Sequence, residues 1–62
     1  MIKLYTMPTC APCHVLMTWL DEQGIEYEEI SARGVSFVKM TPTAEIDGEL
    51  FVGIDAIKDR LE

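Results

Sequence analysis

The segment Cys10-Ala11-Pro12-Cys13 holds the only two cysteines of this 62-residue chain. It lies between an apolar, strand-like stretch, Ile2 to Tyr5, and a helix-like stretch, Val15 to Leu20. A helix that begins at Cys10 places Cys13 one turn further on, where two sulfurs can close a small disulfide ring. The unpaired N–H groups and the positive dipole end of a helix start favour a thiolate, and a thiolate is the species that attacks a disulfide. The motif therefore predicts thiol–disulfide exchange, with Cys10 as the nucleophile and Cys13 as the resolving thiol.

Size and charge restrict the classes of function. A chain of 62 residues makes one domain, residues 1–62, with a small core. The net charge is −6 and the five basic residues are scattered along the sequence, which argues against nucleic acid as a partner because that binding needs clustered positive charge. No run of about 18 apolar residues is present, and the first residues are too short and too polar for a signal peptide. We expect a cytoplasmic monomer without membrane contact, whose two cysteines serve redox or metal chemistry rather than a structural crosslink.

Periodicity predicts the elements that must position the motif in the first half of the chain. Ile2 to Thr6 alternates as a strand does, and Thr9 is a candidate cap for the helix that follows. Gly24 is placed to end that helix. Ile25 to Ile30 predicts a second strand, which should lie parallel to the first because the order is strand, helix, strand.

The second half predicts a loop, a hairpin and a closing helix. Ser31 to Met40 leaves room for a loop and at most one or two turns of helix. Two short strands follow, Thr43 to Asp47 and Glu49 to Gly53, and the Asp-Gly pair between them is typical of a tight hairpin. Asp55 to Leu61 predicts a short final helix.

These features, in this order, resemble the glutaredoxin and thioredoxin superfamily. A Cys-x-x-Cys opens the helix after the first strand, Thr41-Pro42 precedes a hairpin, and Gly53 lies between the last strand and the last helix. The resemblance covers residues 1–30 and 40–62. It implies a minimal thioredoxin-like α/β fold with a four-stranded mixed sheet, in the order β-α-β, a short or absent helix, then β-β-α.

The resemblance also implies a function and a set of site residues. It implies a protein-disulfide reductase, a dithiol electron carrier that needs no cofactor beyond its own disulfide. In this superfamily the Thr-Pro bond is cis and lies against the active sulfurs, where its backbone pairs with an extended substrate chain. The implied substrate-binding residues come from three places, the motif, the Thr-Pro loop and the start of the last helix: Ala11, Pro12, Thr41, Pro42, Gly53 and Asp55.

The Gly-Ile-Asp sequence that begins at Gly53 bears on the electron donor. It is similar to glutaredoxin-like proteins that take electrons from a thioredoxin reductase, some of which supply ribonucleotide reductase. The first alternative is a glutaredoxin that draws on glutathione, whose pocket in that family often uses a Gly-Gly pair. Another is a metal or iron–sulfur binding module, in which both cysteines and His14 of two chains would share the ion. The last alternative is an interaction domain without redox activity.

Other residues near the predicted site have plainer interpretations. His14 should point away from Cys13 and lie on the surface, so no metal ligand is assigned. Arg33 and Lys39 are the basic residues nearest the Thr-Pro loop in sequence. We expect them to be solvated surface charges, with an acidic partner or a glutathione carboxylate as the alternative.

Overall fold

Four strands and two helices make up the chain, whose computed structural model describes residues 1–62. In chain order they are β1 (Ile2–Thr6), α1 (Ala11–Glu22), β2 (Glu28–Ser31), β3 (Thr43–Ile46), β4 (Glu49–Val52) and α2 (Ile54–Leu61). The strands form one sheet in the order β2-β1-β3-β4. β1 and β2 are parallel, and the other two pairings are antiparallel. The predicted minimal thioredoxin-like fold with a mixed four-stranded sheet is confirmed.

The hydrophobic core lies on the face of the sheet that carries both helices. Ile2 and Leu4 of β1 stand opposite Ile46 and Ala44 of β3, so these four side chains share that face. The helices complete one buried cluster with Leu16, Leu20 and Ile57. Since α1 buries residues three and four positions apart, its inner face is fixed, and Cys13 belongs to that face. Neither helix is long and apolar enough to cross a membrane.

The opposite face of the sheet has no helix. Residues 32–42, between β2 and β3, form turns and bends only, so the helix that is usual in the resembled family is absent, as expected. Tyr5 on this face is nevertheless only 6% exposed. The ring of Phe37 meets the ring of Tyr5 edge-on, with centroids 5.4 Å apart. The irregular segment 32–42 thus replaces the missing helix over the part of the sheet nearest the Thr-Pro loop.

The second strand begins later than predicted. It spans Glu28–Ser31, so the prediction of a strand over Ile25 to Ile30 was wrong at both ends. Ile25 and Tyr27 pack against the hydrophobic core instead. The chain is still turning there, because the N–H of Ile25 donates to the carbonyl of Leu20 at 3.0 Å. Their alternation reflects contact with the end of α1 and not a strand.

The hairpin turn determines the ends of β3 and β4. Asp47 and Gly48 have positive φ values of 52° and 84°, the backbone geometry of the tight hairpins that this dipeptide favours. Both residues therefore lie outside the strands, and β3 ends at Ile46 rather than at Asp47. β4 ends at Val52 rather than at Gly53, because Gly53, with φ of 91°, is the N-terminal cap residue of α2.

Candidate functional site

Cys10 is the N-terminal cap residue of α1 and is joined by a disulfide to Cys13. Their Cα atoms are 5.2 Å apart. The backbone of Cys10 is extended, with φ −90° and ψ 100°, and its Sγ accepts the N–H of Cys13 at 3.1 Å. The predicted cap, Thr9, was wrong by one residue. A sulfur takes the position that a hydroxyl or carboxylate oxygen usually holds at a helix start.

The two cysteine residues differ in their exposure to solvent. Cys10 is 9% exposed and Cys13 is fully buried. Cys13 is held on the inner face of α1, one turn before Leu16, whereas Cys10 lies at the open end of the helix. The exposed surface of Cys10 is smaller than the sequence suggested, yet a reagent can reach the pair only through this residue.

The start of α1 is electrostatically suited to a negative charge on Cys10. No acidic residue lies in the first turn. The N–H of Ala11 has no acceptor within the chain, and Pro12 has no N–H to offer. The N–H of Cys13 already points at the Sγ of Cys10. Once the disulfide is open, the helix dipole and these amides favour a thiolate at Cys10 over one elsewhere.

The Thr41-Pro42 loop is held by backbone and side-chain hydrogen bonds. The peptide bond between these two residues is cis, and Pro42 is fully buried. The carbonyl of Pro42 accepts the N–H of Gly53 at 2.8 Å, which brings the start of α2 to this loop. The hydroxyl of Thr43 donates to the carbonyl of Met40 at 2.6 Å. The N–H and C=O of Thr41 itself have no hydrogen-bond partner within the chain.

The loop before α1 is tied to the cysteine motif from both sides. The carbonyl of Met7 accepts the N–H of Cys10 at 3.1 Å. The Nε2 atom of His14 lies 3.4 Å from the carbonyl oxygen of Pro8, and His14 is exposed on the outer side of the helix as predicted. No group of three or more His, Cys, Asp or Glu side chains is arranged to hold a metal ion.

Comparison with known proteins identifies the family. The sequence model of the glutaredoxin family matches residues 2–40. This chain belongs to the glutaredoxin family. Two solved structures are similar to it over almost their whole length. The thioredoxin-like protein BC3987 has a TM-score of 0.80 at 28% identity, covering 98% of this chain and 97% of that one. A mutant of the same protein has a TM-score of 0.82 at 27% identity, with both chains covered completely.

A curated relative is similar over a shorter stretch. The gene 56 protein of Mycobacterium phage D29 is 45% identical over 29 residues, which are 47% of this chain and 32% of that protein. The match therefore spans about a third of the relative's length. Family, fold and the Cys10–Cys13 pair together support thiol–disulfide exchange as the general chemistry of this glutaredoxin-family site.

The other predicted site residues of this glutaredoxin-family chain are placed unequally. Ala11 and Pro12 are exposed at the start of α1. Gly53 is bound to the Thr-Pro loop, but Asp55 is exposed in the first turn of α2 and its side chain has no hydrogen-bond partner in the chain. Sequence reasoning missed the part played by Phe37, which covers the sheet behind the site, because a loop without periodicity gives no sign of what it will cover.

Proposed function

We propose that this chain is a dithiol electron carrier that reduces disulfides in other proteins. The observation that carries the proposal is the unequal exposure of the paired cysteine residues, 9% for Cys10 and none for Cys13. A reductase that works through a mixed disulfide needs one sulfur that a partner can reach and a second that is sheltered until the partner has bound. The disulfide between Cys10 and Cys13 supports a mechanism in which the second sulfur displaces the partner from the first.

The reaction follows from the positions of the two sulfurs. In the reduced protein, the Cys10 thiolate attacks one sulfur of the target disulfide. A new S–S bond forms between chain and target, the target bond breaks, and the released thiolate takes a proton. Cys13 then gives up its proton and attacks the Sγ of Cys10, which releases the second target thiolate. Two electrons have passed to the target, and the chain is left with the Cys10–Cys13 disulfide.

Target binding is proposed to use the backbone of the Thr-Pro loop. An extended peptide can exchange hydrogen bonds with the unpaired N–H and C=O of Thr41. The exposed Ala11 and Pro12 lie beside the nucleophile and would contact the same peptide. We propose that Gly53, whose N–H donates to the carbonyl of Pro42, and Asp55, in the first turn of α2, contact the peptide as well.

The donor we propose is a thioredoxin reductase, and the cellular setting is the cytoplasm, with ribonucleotide reductase among the candidate targets. The support is the Gly-Ile-Asp sequence at Gly53, where glutathione-dependent glutaredoxins often carry two adjacent glycines. Glutathione is the alternative donor. Purified chain with a model disulfide protein should consume NADPH with thioredoxin reductase and much more slowly with glutathione and glutathione reductase. The reverse result would assign the chain to the glutathione-dependent class.

Trapping tests the mechanism directly. The Cys13→Ser variant should accumulate mixed disulfides through Cys10 when it is incubated with a cell extract, and reduction followed by mass spectrometry should identify the captured targets. Cys10→Ser is the matched control, since it keeps one thiol but loses the exposed one. If Cys10→Ser captured the same proteins equally well, the assignment of roles would be incorrect.

A further inference from the structure

A shallow groove beside the Thr-Pro loop has a charge that differs from the rest of the surface. It encloses about 300 Å³ and is bordered by Met7, Met40 and Thr41, with the basic residues Arg33 and Lys39. No acidic residue borders it. We call it the basic groove. It occurs in a chain whose net charge is −6.

The other three surface grooves have the opposite character. One is bordered by Asp21, Glu26 and Glu29, another by Glu26 and Glu28, and the last by Glu29. None of the three is bordered by a lysine or arginine side chain. The basic groove is therefore the one concave surface of this chain that would attract an anion.

The remaining basic residues are already engaged elsewhere. Arg60 pairs with Asp47 at 3.0 Å, and the Nζ atom of Lys58 lies 5.0 Å from the ring centroid of Trp19. Lys3 stands opposite glutamates on both neighbouring strands in the sheet register. Arg33 and Lys39 have no ion-pair partner within the chain, so both can serve a bound partner.

The basic groove adjoins the loop before α1 and the Thr-Pro loop. Met7 lies in the loop before α1, and its carbonyl accepts the N–H of Cys10. Thr41, on the other border, has free backbone N–H and C=O groups. Since Thr41 and Met7 border the same groove, a peptide that pairs with Thr41 while its cysteine reacts at Cys10 would lie next to this groove. The two methionines provide flexible apolar surface on which varied side chains can pack.

We infer that the basic groove selects protein disulfides that are flanked by acidic residues. This inference rests on the proposed function, since it concerns the targets of the same site. The overall charge of −6 does not forbid an acidic target, because charges are screened beyond about 8 Å at physiological ionic strength. Arg33 and Lys39 act within that range on a peptide held at Thr41.

Three synthetic peptides test the inference without any assumption about the electron donor. Each contains the same internal disulfide, flanked on both sides by Glu-Leu-Glu, Ser-Leu-Ser or Lys-Leu-Lys. The protein is reduced with dithiothreitol, desalted and mixed with one peptide, and quenched samples are analysed by mass spectrometry to give a single-turnover rate constant. Two charge pairs across solvent predict that the glutamate peptide reacts about three- to tenfold faster than the serine peptide.

Matched variants locate the source of this preference. Arg33→Gln with Lys39→Gln should bring the glutamate-to-serine ratio to about one and change the rate with the serine peptide less than twofold. Lys3→Gln with Lys58→Gln changes the total charge equally, and should leave the ratio as in the wild type. Lys3 lies in β1, four residues before Met7, or about 13 Å along the chain from the groove. Circular dichroism melting checks that both double variants fold.

The outcomes separate the inference from the proposed function. Equal rates with all three peptides, or a preference that survives Arg33→Gln with Lys39→Gln, would overturn the inference alone. Failure of the reduced wild type to reduce any of the peptides would overturn the proposed function with it. If the double variant slowed reaction with oxidised glutathione but kept the peptide preference, the groove would serve glutathione, and the inference would again be rejected.

Discussion

A carboxylate placed at position 11 should make Cys10 a poorer nucleophile at neutral pH. Ala11 is exposed and follows the nucleophile directly in α1, whose first turn contains no acidic residue. In Ala11→Asp the new charge opposes a thiolate on Cys10, whereas in Ala11→Lys it favours one. Ala11→Asn has nearly the shape of the aspartate variant without its charge and serves as the control.

The size of the effect follows from distance and screening. Adjacent Cα atoms are 3.8 Å apart, so the new carboxylate would lie about 7 Å from the Sγ of Cys10. With an effective dielectric constant of about 40–80, the repulsion is about 0.6–1.2 kcal/mol. This energy corresponds to about half to one pH unit in the midpoint of thiolate formation. The aspartate and lysine variants should therefore differ by about one to two pH units.

The assay uses a chain with a single thiol. Cys13→Ser is introduced in every variant, which leaves the N–H of residue 13 in place to donate to the Sγ of Cys10. The rate of alkylation by iodoacetamide, a small neutral reagent, is then followed from pH 4 to pH 10 at low salt. Ala11→Asp should also melt no lower than Ala11→Asn, because an acidic residue in the first turn favours the helix itself.

Two results would refute this reasoning. If the aspartate and lysine variants had the same alkylation midpoint, the exposed end of α1 would not influence the charge on Cys10. If the parent Cys13→Ser protein titrated near 8.5, as an ordinary free thiol does, the helix start would not stabilise a thiolate, and the proposed nucleophile would lack its activation.

Three further predictions concern stability, all measured on the oxidised protein. The pKa of Tyr27 is raised by burial, by the charges of Asp21 and Glu29, and by a hydrogen bond to Asp21. Because the folded chain keeps the phenolic proton to a higher pH than the unfolded chain does, the free energy of unfolding should fall as the pH rises above about 10. Urea unfolding should show this fall in the wild type and a smaller one in Tyr27→Phe. Leu16→Ala should lower the free energy of unfolding by about 2–5 kcal/mol in the same assay. Val15→Ala, at a site 62% exposed, should change it by less than about 0.5 kcal/mol. Equal losses in the two variants would contradict the assigned inner face of α1. Gly48→Ala places a side chain at φ 84° and should cost about 1–2 kcal/mol, lowering the melting temperature by several degrees, with Glu49→Ala as the neighbouring control.

Much of the fold could be predicted because local chemistry determines it. The alternation of Ile2 to Thr6 gave β1 with its observed ends. Gly24, with φ of 71°, directly follows Gln23, the C-terminal cap residue of α1, as predicted for a glycine that ends a helix. The Asp-Gly pair gave the hairpin, since few other residues adopt two successive positive φ values. In each case a few neighbouring residues suffice to specify the structure.

The predictions were wrong where tertiary contacts, and not the local sequence, determine the structure. Ile25 and Tyr27 alternate like strand residues, yet they pack against the core beside the end of α1, which periodicity alone could not distinguish. Thr9 is a better cap by residue statistics than Cys10, but it is the Sγ of Cys10 that accepts the N–H of Cys13, at 3.1 Å.

The groove beside the Thr-Pro loop was the feature of the site least visible in the sequence. Arg33 and Lys39 are six positions apart in a segment without regular structure. Only the folded path of that segment brings both onto one groove, together with Met7 from the loop before α1. Their interpretation as ordinary surface charges was reasonable for isolated residues, and the proposal that they act together depends on the structure.

The complete burial of Cys13 has a kinetic consequence. In the proposed electron carrier, donor and target must both react at Cys10, because Cys13 is fully buried. Donor and target therefore compete for the same sulfur, and a complex that held the chain, the donor and the target together could not react. Steady-state turnover should follow ping-pong kinetics, with parallel lines in a double-reciprocal plot and each protein inhibiting the other's half-reaction at high concentration.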